Sequence, residues 1–179
     1  MEKQSEGRKK MRIRTISADD VESFYQMMCR LDRETKYMLY EPGEREEKAT
    51  NLNRLKMTLD AAAKDEDFLK VAVNESDKIV GYLWAQRERL NRTAHVAYVV
   101  VGILKDYRHQ GIGTELFMRL DEWAREKGLI RLELTVECMN TDAVNQYEKC
   151  GFRIEGTREK SMKVDGVFVD EYYMAKVFL

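Results

Sequence analysis

Apolar and polar positions along this chain change period several times, and each change marks an element. Met11, Ile13 and Thr15 alternate with Arg12, Arg14 and Ile16, the period of two that a strand requires. Ser17 then offers an N-cap, with Asp20 as its capping-box partner. Val21, Phe24, Tyr25, Met28 and Leu31 recur at helical spacing until Pro42-Gly43 breaks the chain. A second helix is predicted from about Glu44 to Ala63, with Leu52, Leu55, Leu59 and Ala62 on one face. Phe68 to Val73 and Lys78 to Leu90 read as a hairpin turning at 74–77, and His95 to Leu104 as a buried central strand rich in Val and Ile.

Gly111 to Lys127 is the clearest helix: Ile112, Leu116, Leu120 and Trp123 share a face, and Gly128 follows as a C-cap. Ile130, Leu132, Leu134 and Val136 alternate inward along the next strand, to Cys138. A short helix from about Thr141 to Lys149 follows. Strands from Phe152 to Val164 and Val167 to Phe178 are joined by Asp165-Gly166, a strong two-residue hairpin signal. The predicted order is βααβββαβαββ. A helix between the strands at His95 and Ile130 returns the chain in the same direction, so that pair is parallel and the others antiparallel. This is an α/β (α+β) fold: a mixed, mostly antiparallel sheet of about seven strands flanked by helices. No linker or repeat interrupts it, so 11–179 is expected to form one domain behind a flexible extension over residues 1–10.

Composition narrows the function. With 31 basic and 32 acidic residues the formal charge is -1, which gives no ground for nucleic-acid or membrane affinity. No apolar run is long enough to span a bilayer, and the polar start lacks the apolar core of a signal peptide. The three cysteines, Cys29, Cys138 and Cys150, have no metal-ligand spacing, so neither a disulfide framework nor a metal site is expected, and a cytoplasmic setting fits. Cys150 as a nucleophile has only His95 and His109 for a base, and an inert thiol is the plainer reading.

The informative stretch runs from Val101 to Gly113. Gly111 and Gly113 let the backbone approach a ligand, the following helix presents unpaired N–H groups and the positive end of its dipole, and Arg108 adds a cation. Together they suit a phosphate or pyrophosphate. A Walker A loop would need a lysine where Thr114-Glu115 stands, and a dinucleotide fingerprint a glycine or alanine at Leu116. Both departures weigh against a nucleotide fold, and a phosphate-binding nucleotide enzyme stays as the weaker alternative.

Arg108-His109-Gln110-Gly111-Ile112-Gly113 resembles the Arg/Gln-x-x-Gly-x-Gly/Ala signature of the GCN5-related N-acetyltransferase family. A second block, Asn140, Ala143, Tyr147, Gly151 and Phe152, is similar to that family's Asn-x-x-Ala-x-x-x-Tyr-x-x-x-Gly-Phe segment, in the right order after the right strand. The resemblance implies a cytoplasmic, metal-independent enzyme that moves an acetyl group from acetyl-CoA to a primary amine of a small molecule or protein N-terminus, in a ternary complex. It implies that the 108–113 loop amides hold the CoA pyrophosphate. Val101, Gly102 and Ile103 would pair with the pantetheine arm, in a slot opened by splayed strands and a bulge, one N–H there holding the oxyanion. Asn140 would contact pantetheine and Tyr147 would protonate the departing thiolate. An unperturbed tyrosine, with a pKa of about 10, carries the needed proton at neutral pH. A homodimer is a further implication by analogy alone.

Some positions invite plainer readings. Tyr147 by itself would be an ordinary helix tyrosine, His95 a packed strand histidine, and Trp84 and Trp123 core residues. The proton acceptor is open: residues 94–104 hold no carboxylate, and Glu133, Glu137, Glu34, Tyr98 and His95 are the alternatives. That gap motivates a second hypothesis, a non-catalytic acyl-CoA sensor on the same fold. Glu34, Glu41 and Asp170 would suit a cationic acceptor.

Overall fold

Strand β1 (Arg12–Thr15) leads into helix α1 (Val21–Glu34) through the expected cap. Ser17 Oγ accepts from the Asp19 N–H, and the Asp20 carboxylate accepts from the Ser17 N–H at 2.8 Å. The computed structural model describes residues 10–179; the extension expected over residues 1–10 lies, but for its last residue, outside them. Two helices follow, α2 (Glu44–Lys48) and α3 (Leu52–Ala63). The sequence pattern predicts one helix there. The helix restarts because Asn51 accepts from the Asn53 N–H and caps a new first turn, as asparagine does well. The order is therefore βαααβββαβαββ among the described residues.

β2 (Phe68–Val73), β3 (Ile79–Arg87) and β4 (Val96–Ile103) form an antiparallel meander. Helix α4 (Ile112–Glu126) crosses over to β5 (Arg131–Glu137), which lies parallel to β4. Helix α5 (Thr141–Lys149) precedes β6 (Arg153–Val164) and β7 (Val167–Val177). The sheet order is β1-β2-β3-β4-β5-β7-β6, so the last hairpin inserts its second strand beside β5.

Alternation along the strands divides the core. Tyr82 meets Phe24 of α1 edge-on at 5.1 Å, which puts α1 over the face carrying Tyr82, Trp84, Val100 and Gly102. Phe68 meets Trp123 of α4 at 5.6 Å, which puts α4 over the other face, with Leu83, Val99 and Leu132. Leu116, Leu120 and Ala124 are fully buried there, each leucine stabilising the fold by about 1.5–3 kcal/mol. Ile130, expected inward, is exposed: it precedes the first paired residue of β5 and lies beyond the end of α4, and Leu129 fills the space instead.

Helix α1 lies hard against β4. A Cβ on Gly102 would stand 2.4 Å from Leu31 Cδ2 and 2.9 Å from Tyr82 Cε1, with both side chains already buried. Gly102→Ala is expected to destabilise the protein by about 1–3 kcal/mol through overpacking, read as a lower denaturation midpoint at unchanged slope.

Candidate active site

β4 and β5 start as neighbours and then part. They pair with each other only at Val96↔Arg131, Ala97↔Leu132 and Tyr98↔Glu133, after which each continues beside its outer neighbour alone, β4 to Ile103 beside β3 and β5 to Glu137 beside β7. The Tyr98 and Thr135 hydroxyls share a hydrogen bond of 2.9 Å across the fork. The expected bulge is absent, since β4 keeps an unbroken register with β3 from Gly81↔Ile103 to Arg87↔Ala97. Because the Leu104 N–H donates to Val80, the even-numbered residues of β4 bond to β3. The main-chain groups of Val99 and Val101 and the Ile103 N–H therefore face the slot.

Beyond Ile103 the chain tightens. Arg108 Nε donates to the Ile103 carbonyl at 2.9 Å, so this arginine braces the loop as well as lining the cavity. His109 and Gly111 both have left-handed backbone, at φ 58° and 85°. Gly111 is the N-cap of α4 and supplies no side-chain acceptor, so the first N–H groups of that helix have no intrahelical partner. A Cβ on Gly113 would meet only Ile103 Cδ1, at 3.6 Å, so the surface above the helix start is open. Gln110 lies outside the cavity lining, its side-chain amide folded back onto the Asp106 carbonyl.

Helix α5 closes the slot from the α4 side. Asn140, read from the sequence as sharing a helical face with Ala143 and Tyr147, is instead the N-cap and accepts from the Ala143 N–H at 3.3 Å. Asn140→Ala is expected to cost about 1 kcal/mol in thermal or chemical denaturation. Tyr147 packs edge-on against Phe117 at 5.8 Å and beside Phe152 at 6.1 Å. Burial pushes its hydroxyl well above the usual tyrosine range, with Tyr82, Tyr98 and Cys150 adding to the shift. The hydroxyl thus stays protonated throughout the neutral range. Burial also raises the Cys150 thiol, which removes thiolate character at neutral pH.

A continuous cavity of about 1220 Å³ joins these parts. Val101, Gly102, Ile103, Arg108, His109, Gly111, Ile112, Gly113, Asn140 and Tyr147 line it on one flank, and residues of α1, α2 and α3 on the other. Trp84, expected in the core, is half-buried in this lining with an indole N–H that has no partner among the described residues, whereas Trp123 is buried and donates to Asp65 at 2.8 Å. Tyr25, Tyr40, Tyr82 and Arg45 line the α1 side, a set gathered from distant segments that no sequence spacing marks.

The five alternatives for a proton acceptor separate in space. His95 is exposed at the far end of β4 and outside the cavity. Glu34 accepts from the Lys105 N–H at 2.7 Å and from Arg30, and Glu133 pairs with Arg131 at 2.7 Å; neither lines the cavity. Tyr98 and Glu137 do line it. Glu34, Glu41 and Asp170, expected to suit a cationic acceptor, are all absent from the lining, while Glu137 and Glu171 are present.

The family model for the acetyltransferase (GNAT) family matches residues 25–152. A GNAT-family acetyltransferase from Streptococcus pneumoniae superposes with a TM-score of 0.87, covering 94% of this chain and 100% of that one at 27% identity. A putative acetyltransferase from Salmonella typhimurium, solved with its cofactor acetyl-CoA, superposes with a TM-score of 0.80 over 94% of each chain at 16% identity, a likeness of fold. The L-amino acid N-acetyltransferase AaaT of Escherichia coli is 35% identical over 103 residues, 55% of this chain. The match spans 62% of that relative's length.

Proposed function

The chain belongs to the acetyltransferase (GNAT) family, and on that premise we propose that residues 11–179 form an enzyme that transfers the acetyl group of acetyl-CoA to a primary amine by direct attack in a ternary complex. One observation carries the reading. The forked slot between β4 and β5 opens, in a single cavity, onto the uncapped N-terminus of α4. A ligand with an extended amide-bearing arm and a pyrophosphate fits both ends at once.

In this reading the first N–H groups of α4, the 108–113 loop and the Arg108 guanidinium hold the pyrophosphate, where oriented amides and a helix dipole favour negative charge. The slot-facing groups of Val99, Val101 and Ile103 pair with the pantetheine amides as an added strand would. A slot-facing N–H of β4 stabilises charge developing on the carbonyl oxygen during attack. Tyr147 donates its proton to the departing thiolate. The acceptor enters from the α1 side, and the likeness to AaaT puts L-amino acids first among the amines to try, ahead of polyamines and peptide N-termini.

The direct test measures thiol release from acetyl-CoA with a panel of L-amino acids, spermidine and a short peptide with a free N-terminus. Amine-dependent thiol release with stoichiometric N-acetyl product is expected. A folded protein that binds acetyl-CoA in calorimetry yet turns over no amine would instead support the acyl-CoA sensor reading.

A further inference from the structure

Two buried carboxylates face each other on the α1 side of the sheet, Glu137 of β5 and Glu171 of β7, opposed in register. Both line the cavity. Their circumstances differ. Glu171 accepts from the Arg158 guanidinium of β6 at 3.2 Å. Glu137 is only 5% exposed, and its Oε1 is buried with no hydrogen-bond partner among the described residues. A buried ionisable oxygen left without a partner is costly in a folded protein, and such an atom lining a cavity is satisfied by whatever occupies it.

The surrounding charges sharpen the point. Asp32 and Arg45, the buried pair on the α1–α2 side, neutralise one another. Glu171 and Arg158 form the second pair. Lys36, just past α1, is exposed and acts on Glu137 only at a distance, while Lys48 and Arg54 at the α2–α3 rim are also exposed and solvated. Glu137 is left as the buried carboxylate of this chamber without a cation in hydrogen-bond contact.

Leu134 and Val136 turn toward α4, so Glu137, like Thr135, projects to the α1 face at the open end of the fork. Tyr147 approaches the same fork from the α4 side, packed on Phe117. An acid and a carboxylate thus flank one slot from opposite faces. Resting on the acetyltransferase reading, we infer that Glu137 is the proton acceptor of the reaction, and that the acceptor arrives as a primary ammonium whose charge is neutralised by this carboxylate.

The ammonium gives a proton to Glu137 Oε1, and the freed nitrogen lone pair forms a C–N bond to the thioester carbonyl carbon. The C–S bond breaks, the thiolate takes the Tyr147 proton, and the second proton shed by the nitrogen restores Tyr147 through solvent. Glu137 returns its proton to solvent. Burial raises the Glu137 carboxyl above the usual range, with Lys36 opposing and Glu171 adding to the shift, which makes it a better base than an exposed glutamate.

The test compares wild type with Glu137→Gln and Glu137→Asp. Glu137→Gln is expected to lower kcat/KM for the best amine by about 100-fold or more, to lose the acidic limb of the pH profile, and to keep its acetyl-CoA dissociation constant within about twofold; Glu137→Asp should recover part of the rate. A second readout needs no turnover: calorimetric binding of n-butylamine and L-alaninamide to the CoA complex, expected about 10-fold weaker in Glu137→Gln, since a buried charge-assisted contact is lost. If wild type acetylates an amine and Glu137→Gln retains the rate within about fivefold, the inference is overturned. If no amine is acetylated, the acetyltransferase reading fails separately. Glu137 then stands as an ammonium site if wild type binds the amines more tightly than Glu137→Gln, and falls if it does not.

Discussion

Replacing Tyr147 by phenylalanine is expected to lower kcat by about 100-fold while leaving the acetyl-CoA dissociation constant within about twofold of wild type. The substitution deletes one hydroxyl and keeps the ring that meets Phe117 and Phe152, so packing and stability should be retained. The expected loss comes from the leaving group. A thiolate departing into this slot gains from a proton donor, and the Tyr147 hydroxyl, its pKa raised chiefly by desolvation, holds its proton across the neutral range. Rapid-quench turnover together with calorimetry separates the two quantities. A variant with unaltered kcat would remove Tyr147 from the chemistry and leave it as a packing residue of α5.

The largest effect on stability is expected at Asp32. Its carboxylate is fully buried and takes two bonds from Arg45, at 2.6 and 3.1 Å, while the Arg45 side chain is 11% exposed. Arg45 also lies over the Tyr40 ring at 4.3 Å, and its carbonyl accepts from the Tyr25 hydroxyl at 3.2 Å. This pair anchors the five-residue helix α2, which is too short to hold its own conformation. Asp32→Ala leaves a guanidinium buried without its counter-ion and should destabilise the protein by about 3–5 kcal/mol. In a chain of this size that lowers the melting temperature by about 10 °C. The double variant Asp32→Leu with Arg45→Met should recover much of the loss, because an apolar pair of similar volume avoids desolvating two charges. A single-variant loss below about 1 kcal/mol would mean that solvent reaches the pair freely.

Both expectations depend on features with different visibility in the sequence. The pairing of Asn140, Ala143 and Tyr147 with Gly151-Phe152 is a local pattern, and local preferences suffice to place it around one short helix after a strand, with Asn140 as the cap and Gly151-Phe152 just past the end. The glycines of the 108–113 loop are legible for the same reason: Gly111 takes a backbone conformation that glycine adopts without strain. The Asp165-Gly166 turn and the Ser17–Asp20 cap are short-range signals too, and the chain folds at those positions as they indicate. The break between α2 and α3 was also present in the sequence, as Asn51, but the charged, helix-forming run Glu44–Lys48 stands directly before the helical spacing of Leu52, Leu55 and Leu59 and masks it.

The sequence by itself determined the strands and every helix but the split between α2 and α3, the parallel pair set by the α4 crossover, and the family through two blocks of closely spaced residues. Those features depend on neighbours within a turn or two of the chain. The tertiary structure alone decided where β4 and β5 part, that Trp84 lines a cavity, and which carboxylate is left free. Glu133 and Glu137 are the same residue type on the same face of the same strand. Arg131 neutralises the first, whereas the second is buried against Glu171, whose own partner Arg158 comes from another strand. A charge's reactivity depends on its desolvation and its counter-ions, and these come from segments far apart in sequence, so only the folded chain distinguishes the two.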